Sequence, residues 1–536
     1  MSIPAEKQFI VEWPFPLSAD DYSQWGHSSA FTALHCRSRI QDRSCCTGER
    51  RCKVRRPISW RTILTRFALV AATTVAAPAQ KYTTLVSFNG ADGANPEFAA
   101  LVQGRDRDFY GTTRGAGGNV PGTVFKVTAE GTMTTLADLG LDQPYAGLVL
   151  ATDGWFYGTT AQGGANTWGT IFKMSSKGTL RPLYSFCAQP NCSDGVFPLF
   201  GLVQASNGNF YGTTPASAAV RNPGTIFQIT PGGKLTTLYT FCAQTGCPDG
   251  EGPSGPLIQA TNGHLYGTTG AGGAHGYGTV FGITIRGKLT TLHSFNGTDG
   301  SGPSLGLIQA ADGNFYGTTQ QGGANNSCVS GCGTVFKMNP KGVLKTIYSF
   351  CSLANCTDGS DPISGLVQAP DGNFYGTTAE SGNIGACGGH GCGTIFKLTS
   401  EHVLTTLYTF CSQTNCSDGA GPQAGLLQAT DGTFYGVTTG GGTSSAGTVF
   451  SLSVDLEPFV TFVQRSVEVG KTAEILGQCL IGASKVSFNG TPAHHFAVNS
   501  ETYLTTTVPA GATTGYVTVT TPRGTLTSNV QFRVIR

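Results

Sequence analysis

The chain has 536 residues, of which 76 are Gly and 26 Pro, about a fifth of the total where average usage is nearer 12%. Charged residues are 12%, aromatics 10% and the formal net charge is +2, which excludes a charge-swollen disordered chain, and no run of 18 apolar residues offers a membrane span. What remains is an all-β chain of short strands and tight turns, long enough for a large core and a second domain.

Residues 1–53 show no sustained periodicity and scattered Cys, Trp and Arg. They read as a non-globular extension or a mis-assigned start, with the true one near Val54. Arg55, Arg56, Arg61 and Arg66 then precede the apolar run Phe67-Ala-Leu-Val-Ala-Ala-Thr-Thr-Val-Ala-Ala and Ala77-Pro78-Ala79. A basic n-region, a short apolar stretch and a small-x-small site predict a signal peptide over 54–79, cleaved after Ala79. A genuine cytoplasmic extension, with the apolar run as a poor signal-anchor, is the alternative. Residues 1–79 hold 11 Lys/Arg against 6 Asp/Glu, leaving 22 against 25 in the remainder. The mature protein therefore has no basic footprint for nucleic acid.

From residue 80 the chain repeats. Phe-Tyr-Gly-Thr-Thr or a close variant places a tyrosine at 110, 157, 211, 266, 316, 375 and 435. Each unit carries four short apolar runs. In the fifth these are Gly306-Leu-Ile-Gln-Ala, Asn314-Phe-Tyr-Gly-Thr-Thr, Gly333-Thr-Val-Phe-Lys-Met and Val343-Leu-Lys-Thr-Ile-Tyr-Ser-Phe. Asp312-Gly313 and Asn339-Pro-Lys-Gly342 supply hairpin turns. Four antiparallel strands at this period predict a propeller blade. The region opens on a lone fourth-strand motif, Lys81-Tyr-Thr-Thr-Leu-Val-Ser-Phe88, and ends on a third-strand motif, Gly447-Thr-Val-Phe-Ser-Leu-Ser453. The expectation is a seven-bladed β-propeller over 80–455, its last blade completed by the N-terminal strand so that no edge stays open.

This unit resembles the GloVer (Gloeo-Verruco) tandem repeat of exported bacterial proteins, over about residues 81–453. The resemblance implies export and a propeller-like repeat, and brings no catalytic residues to carry over. Unlike the anchored members, the sequence after 453 shows no sorting signal. Over 456–536 a different alternation begins, with Phe-Asn-Gly-Thr-Pro-Ala and Val-Pro-Ala-Gly-Ala-Thr-Thr-Gly. It predicts a small immunoglobulin-like β-sandwich and resembles an IPT/TIG domain, a spacer or binding module. Cys479, alternating with apolar neighbours on an expected strand, reads as a buried, inert thiol.

Seventeen cysteines point to an oxidising compartment, so the protein is expected to be exported. Twelve form close pairs that predict disulfides: Cys187/Cys192, Cys242/Cys247, Cys328/Cys332, Cys351/Cys356, Cys387/Cys392 and Cys411/Cys416. Other repeats lack both members of a pair, as at Phe88-Asn-Gly-Ala-Asp-Gly93, which favours bonding within each pair. Metal binding would need two pairs to converge or a histidine to help, and the five histidines here occupy unrelated repeat positions. No metal or cofactor is expected. All six pairs fall in the longer, variable loops, and these share one face, the expected ligand face.

The recurring acid of Asp-Gly-x-x-Pro, at Asp92, Asp194, Asp249, Asp299, Asp358 and Asp418, is the candidate binding constellation, a ring of carboxylates for a cation or sugar hydroxyls. The competing reading is an Asx turn in each loop, which recurrence at nearly every unit favours. The repeated Phe and Tyr read as packing between blades. No nucleophile triad, zinc helix or dinucleotide fingerprint occurs. The expected function is a non-catalytic exported binding protein, with propeller as recognition head and sandwich as spacer. The ligand stays open between an extracellular polysaccharide and a cell-envelope protein. A secreted carbohydrate-active hydrolase or lyase is the alternative, and would need carboxylates off the repeat pattern, such as Glu97, Glu251, Asp361 and Glu380. A purely structural role is the third reading.

Overall fold

A computed structural model describes residues 80–536 apart from 117–119, 141, 218–221 and 384. The expected extension, the expected signal peptide and the four cysteines before residue 53 lie outside the described residues. The protein is all-β, with 3-10 turns its only helical elements among those residues.

Residues 81–453 make seven antiparallel sheets, five of four strands and two of five. In sheet five, Phe315–Gln321 pairs with Ile308–Gln309 on one side and Thr334–Met338 on the other, and Leu344–Ser349 is the outer strand. Each residue of the repeated motif has a physical task. The Tyr316 ring stacks on Phe374 of the next sheet at 4.2 Å, and its hydroxyl donates to Asp312 in the hairpin turn at 2.9 Å. The Thr319 and Thr334 hydroxyls meet across the strands at 2.8 Å. Gly317 stands opposite Phe336, and a Cβ there would come within 2.6 Å of that ring. The glycine is thus a seat for the aromatic of the neighbouring strand.

Sheets four and five gain a short fifth strand, Glu251–Pro253 and Ser301–Pro303, that the sequence pattern did not announce. Both come from the Asp-Gly-x-x-Pro loop, which runs back along the second strand. Sheet seven is completed from afar: Lys81–Ser87 pairs antiparallel with Thr448–Ser453 and forms its outer strand. A buried apolar cluster lies between each pair of successive sheets. Another, containing Phe88, Phe109, Phe125, Tyr435 and Val449, joins sheet seven back to sheet one.

Residues 461–535 form two further four-stranded antiparallel sheets and a parallel pair, Ser466–Glu468 with Arg533–Ile535. They enclose a separate core around Ile475, Leu480, Val486, Leu504, Val519 and Phe532. Cys479 corrects the sequence reading. It follows the strand Thr472–Leu476 on a bend at φ 53° and is only half-buried, so it is neither on the expected strand nor in the core. The periodicity misled because Gly477 ends the strand two residues earlier.

This C-terminal module packs on the turns that join first to second strands. Gln464 Nε2 donates to the Ala205 carbonyl at 2.7 Å, Thr502 Oγ1 to the Arg105 carbonyl at 2.7 Å and Gln478 Nε2 to Thr430 Oγ1 at 2.9 Å. The Arg105 guanidinium also pairs with Glu474.

Candidate functional site

The long loops lie at the other ends of the strands, and the six cysteine pairs there are closed as Cys187–Cys192, Cys242–Cys247, Cys328–Cys332, Cys351–Cys356, Cys387–Cys392 and Cys411–Cys416. Two sets of pairs converge. The sulfurs of Cys387, Cys392, Cys411 and Cys416 all lie within 4.8 Å of one another, and Cys328 Sγ is 3.8 Å from Cys351 Sγ. Sequence spacing did not reveal this meeting, because the partners come from different loops. Closed as disulfides, they offer no thiolate to a metal.

The recurring aspartates are spread over separate loops, where each carboxylate turns back on its own segment. Asp194 accepts from the Tyr184 hydroxyl at 2.8 Å and from the Ala188 and Gln189 amides. Asp358 accepts from Tyr348 at 2.8 Å and Ser352 N at 2.9 Å, and Asp418 from Tyr408 at 2.7 Å and Ser412 N at 3.0 Å. These three are fully buried. Asp249 takes the Tyr239 hydroxyl and Cys242 N, Asp299 faces His293 Nε2 at 2.9 Å, and Asp92 takes Asn89 N at 2.9 Å. The carboxylates close their loops, and Asp194, Asp249, Asp358 and Asp418 also hold the outer-strand tyrosine in place.

One group departs from this regularity. The second x of Asp-Gly-x-x-Pro takes a positive φ at Asn95, Phe197, Gly252, Gly302, Asp361 and Gly421. That backbone suits Gly, Asn and Asp, and Asp361 is the one acid among the six. Asp361 is held by Asp361 N donating to the Cys332 carbonyl at 3.1 Å and by Ala379 N donating to its own carbonyl at 3.0 Å. A bridge between Ser360 and Glu380 sets a second acid beside it. Burial, then the charge of Glu380, pushes the Asp361 carboxyl up to about 6, against a hydrogen bond from Gln320. Both acids line a cleft of about 890 Å³ with Gln320, Gln321, His390 and the two disulfide loops at Cys328–Cys332 and Cys351–Cys356. The other off-pattern acids lie elsewhere: Glu97 pairs with Arg114 at 2.5 Å, and Glu251 is in the extra strand of sheet four.

The profile of the Gloeobacter/Verrucomicrobia repeat matches residues 71–248, 244–450 and 331–504. The chain belongs to this repeat family. No curated protein sequence matches it. Among solved structures it is similar to a fungal alcohol oxidase of the AA5 family in complex with copper, at 12% identity and a TM-score of 0.43, over 86% of this chain and 100% of that one. It is also similar to a gluconolactonase from Xanthomonas campestris, at 12% identity and 0.34, over 70% and 89%. A third is a luciferin-regenerating enzyme, at 10% identity and 0.37, over 71% and 98%. The multiple disulfides of this family member are consistent with an exported protein. No helix among the described residues is long and apolar enough to cross a membrane.

Proposed function

We propose that the protein is an exported binding protein, secreted by cleavage of 54–79, with 80–455 as a seven-bladed β-propeller and 456–536 as an immunoglobulin-like sandwich of IPT/TIG type. The cycle of apolar clusters from sheet one through sheet seven and back supports the propeller. Recognition is assigned to the disulfide-walled cleft, and the observation that carries this is the Asp361–Glu380 pair beside the Gln320 and Gln321 amides. Carboxylates and amides on a rigid wall suit a hydroxyl-rich polysaccharide, which they bind by hydrogen bonds. The test is retention of the protein on a panel of insoluble polysaccharides. Selective retention that is lost in Glu380→Gln, with thermal melting no lower than in the parent, supports the reading. Uniform non-retention overturns it.

A second reading has its own observation, the raised pKa of Asp361 beside a second acid. Such a pair can hydrolyse a glycosidic bond: protonated Asp361 donates its proton to the leaving oxygen as the C–O bond breaks, while Glu380 takes a proton from the attacking water. Release of reducing ends that vanishes in both Asp361→Asn and Glu380→Gln supports it. No release from any retained polymer excludes it.

A further inference from the structure

The first strands of the seven sheets converge on the end of the ring that the C-terminal module covers. Two confluent cavities lie there, of about 450 and 240 Å³, sharing Gln259, Val367, Arg465, Ser466 and Asn529 in their walls. Arg465 keeps much accessible surface, yet protein surrounds it on every side, because that surface faces the chamber rather than bulk water. Arg533, whose backbone N–H donates to the Arg465 carbonyl at 2.8 Å, lines the same chamber. Neither guanidinium has a hydrogen-bond or ion-pair partner among the described residues, and no Asp or Glu lines either cavity. Burial lowers the proton affinity of both, but a guanidinium does not give up its proton in proteins. An unpaired cation surrounded by protein calls for an anion, and half-exposed Arg533 is a second cation on the wall of the same chamber.

The neutral side of the chamber is unusual too. In five sheets the first-strand glutamine accepts an N–H from the turn of the preceding sheet: Thr152 N to Gln204, Ser206 N to Gln259, Thr261 N to Gln309, Ala311 N to Gln368 and Thr430 N to Gln103. At Gln428 the corresponding donor position is Pro370, which has no N–H. Both amide atoms of Gln428 and the Oδ1 of Asn529 are buried without a partner. Gln428 lines the larger cavity, Arg533 the smaller, and Arg465 and Asn529 both; the three amide atoms are unpaired but have no accessible surface, so a ligand reaches them as these side chains turn into the chamber.

We propose that this chamber binds a small hydroxy-carboxylate, its carboxylate between Arg465 and Arg533 and its hydroxyls on Gln428 and Asn529. Arg matches a carboxylate by two parallel hydrogen bonds, and amides take hydroxyls in either sense. The site is independent of the cleft on the opposite face. Titration calorimetry on the full chain would use D-galacturonate as the probe, D-galactose as its neutral match and inorganic phosphate as a bare oxyanion. Saturable heat with galacturonate and none with galactose is expected, weakened by about tenfold or more in Arg465→Gln and in Arg533→Gln. Pro370→Ala supplies the missing N–H to Gln428, leaves both charges in place and should weaken galacturonate binding by about threefold. It keeps the inference testable should an arginine variant misfold. No saturable binding of galacturonate, binding of phosphate alone, or binding unchanged in the folded variants overturns the proposal.

Discussion

Replacing Asp361 by Asn should stabilise the protein at neutral pH and leave it unchanged near pH 4. Burial, and then the charge of Glu380, lifts the carboxyl from 3.8 to about 6. The unfolded chain releases this proton at the lower value and the folded chain at the higher, so between them the folded state holds more protons. Its stability therefore falls as pH rises from about 4 to about 6 and stays low above that. At 1.36 kcal/mol for each tenfold change in proton affinity, the difference between 3.8 and about 6 corresponds to about 3 kcal/mol. Partial exposure of the group trims this toward about 2 kcal/mol. Asn removes the titration without new backbone strain, because it tolerates the φ of 57° found at this residue. Urea midpoints of both proteins, followed from about pH 4 to about pH 8, should coincide at the acid end and separate through the window. Glu380→Gln should narrow the gap. Parallel profiles, or an Asn variant less stable at neutral pH, would refute the reasoning.

Three further outcomes are expected. Gly317→Ala puts a methyl within 2.6 Å of the Phe336 ring and should cost about 1–3 kcal/mol in a urea melt, although alanine alone would suit a strand better than glycine. Asp358→Asn weakens a buried acceptor that takes both Tyr348 and Ser352; a loss of about 1.5–3 kcal/mol is expected, and no loss would show that charge adds nothing there. The double change Cys351→Ser with Cys356→Ser opens one small loop at the cleft and should cost about 2 kcal/mol on the chain-entropy argument. Polymer retention should fall further than melting temperature does, as measured on the same preparation.

The repeat region was legible because its rules are local. Tyr316, Gly317 and Thr319 each meet a partner set by strand register, and register follows from hairpin turns such as Asp312-Gly313. Strand phase likewise pointed Lys81–Ser87 to Thr448–Ser453. The candidate site was legible only in outline. Asp361 and Glu380 stood out as acids off the repeat pattern, yet their meeting depends on the bridge between Ser360 and Glu380, a contact between two loops. Arg465 and Arg533 gave no signal at all. Their position in the chamber follows from how the C-terminal module docks on the ring, and nothing in their own neighbourhood encodes that. Gln428 was hidden for a subtler reason: its environment is set by a proline in the preceding repeat, where every other repeat with the glutamine offers an N–H.

Of the strands in the seven repeat sheets, Lys81–Ser87 is made first and its partner Thr448–Ser453 last. During synthesis it waits through all seven repeats as a β-branched segment with no sheet to join. Two copies held close together could exchange these strands, each completing the seventh sheet of the other, with every hydrogen bond of the monomer preserved. Such a pair would differ from the monomer only in which molecule supplies Tyr82, whose ring stacks at 3.8 Å on Tyr408. Crowding during production would then decide between monomer and interlocked dimer, and dilution afterwards would separate the two only as fast as the sheet can open.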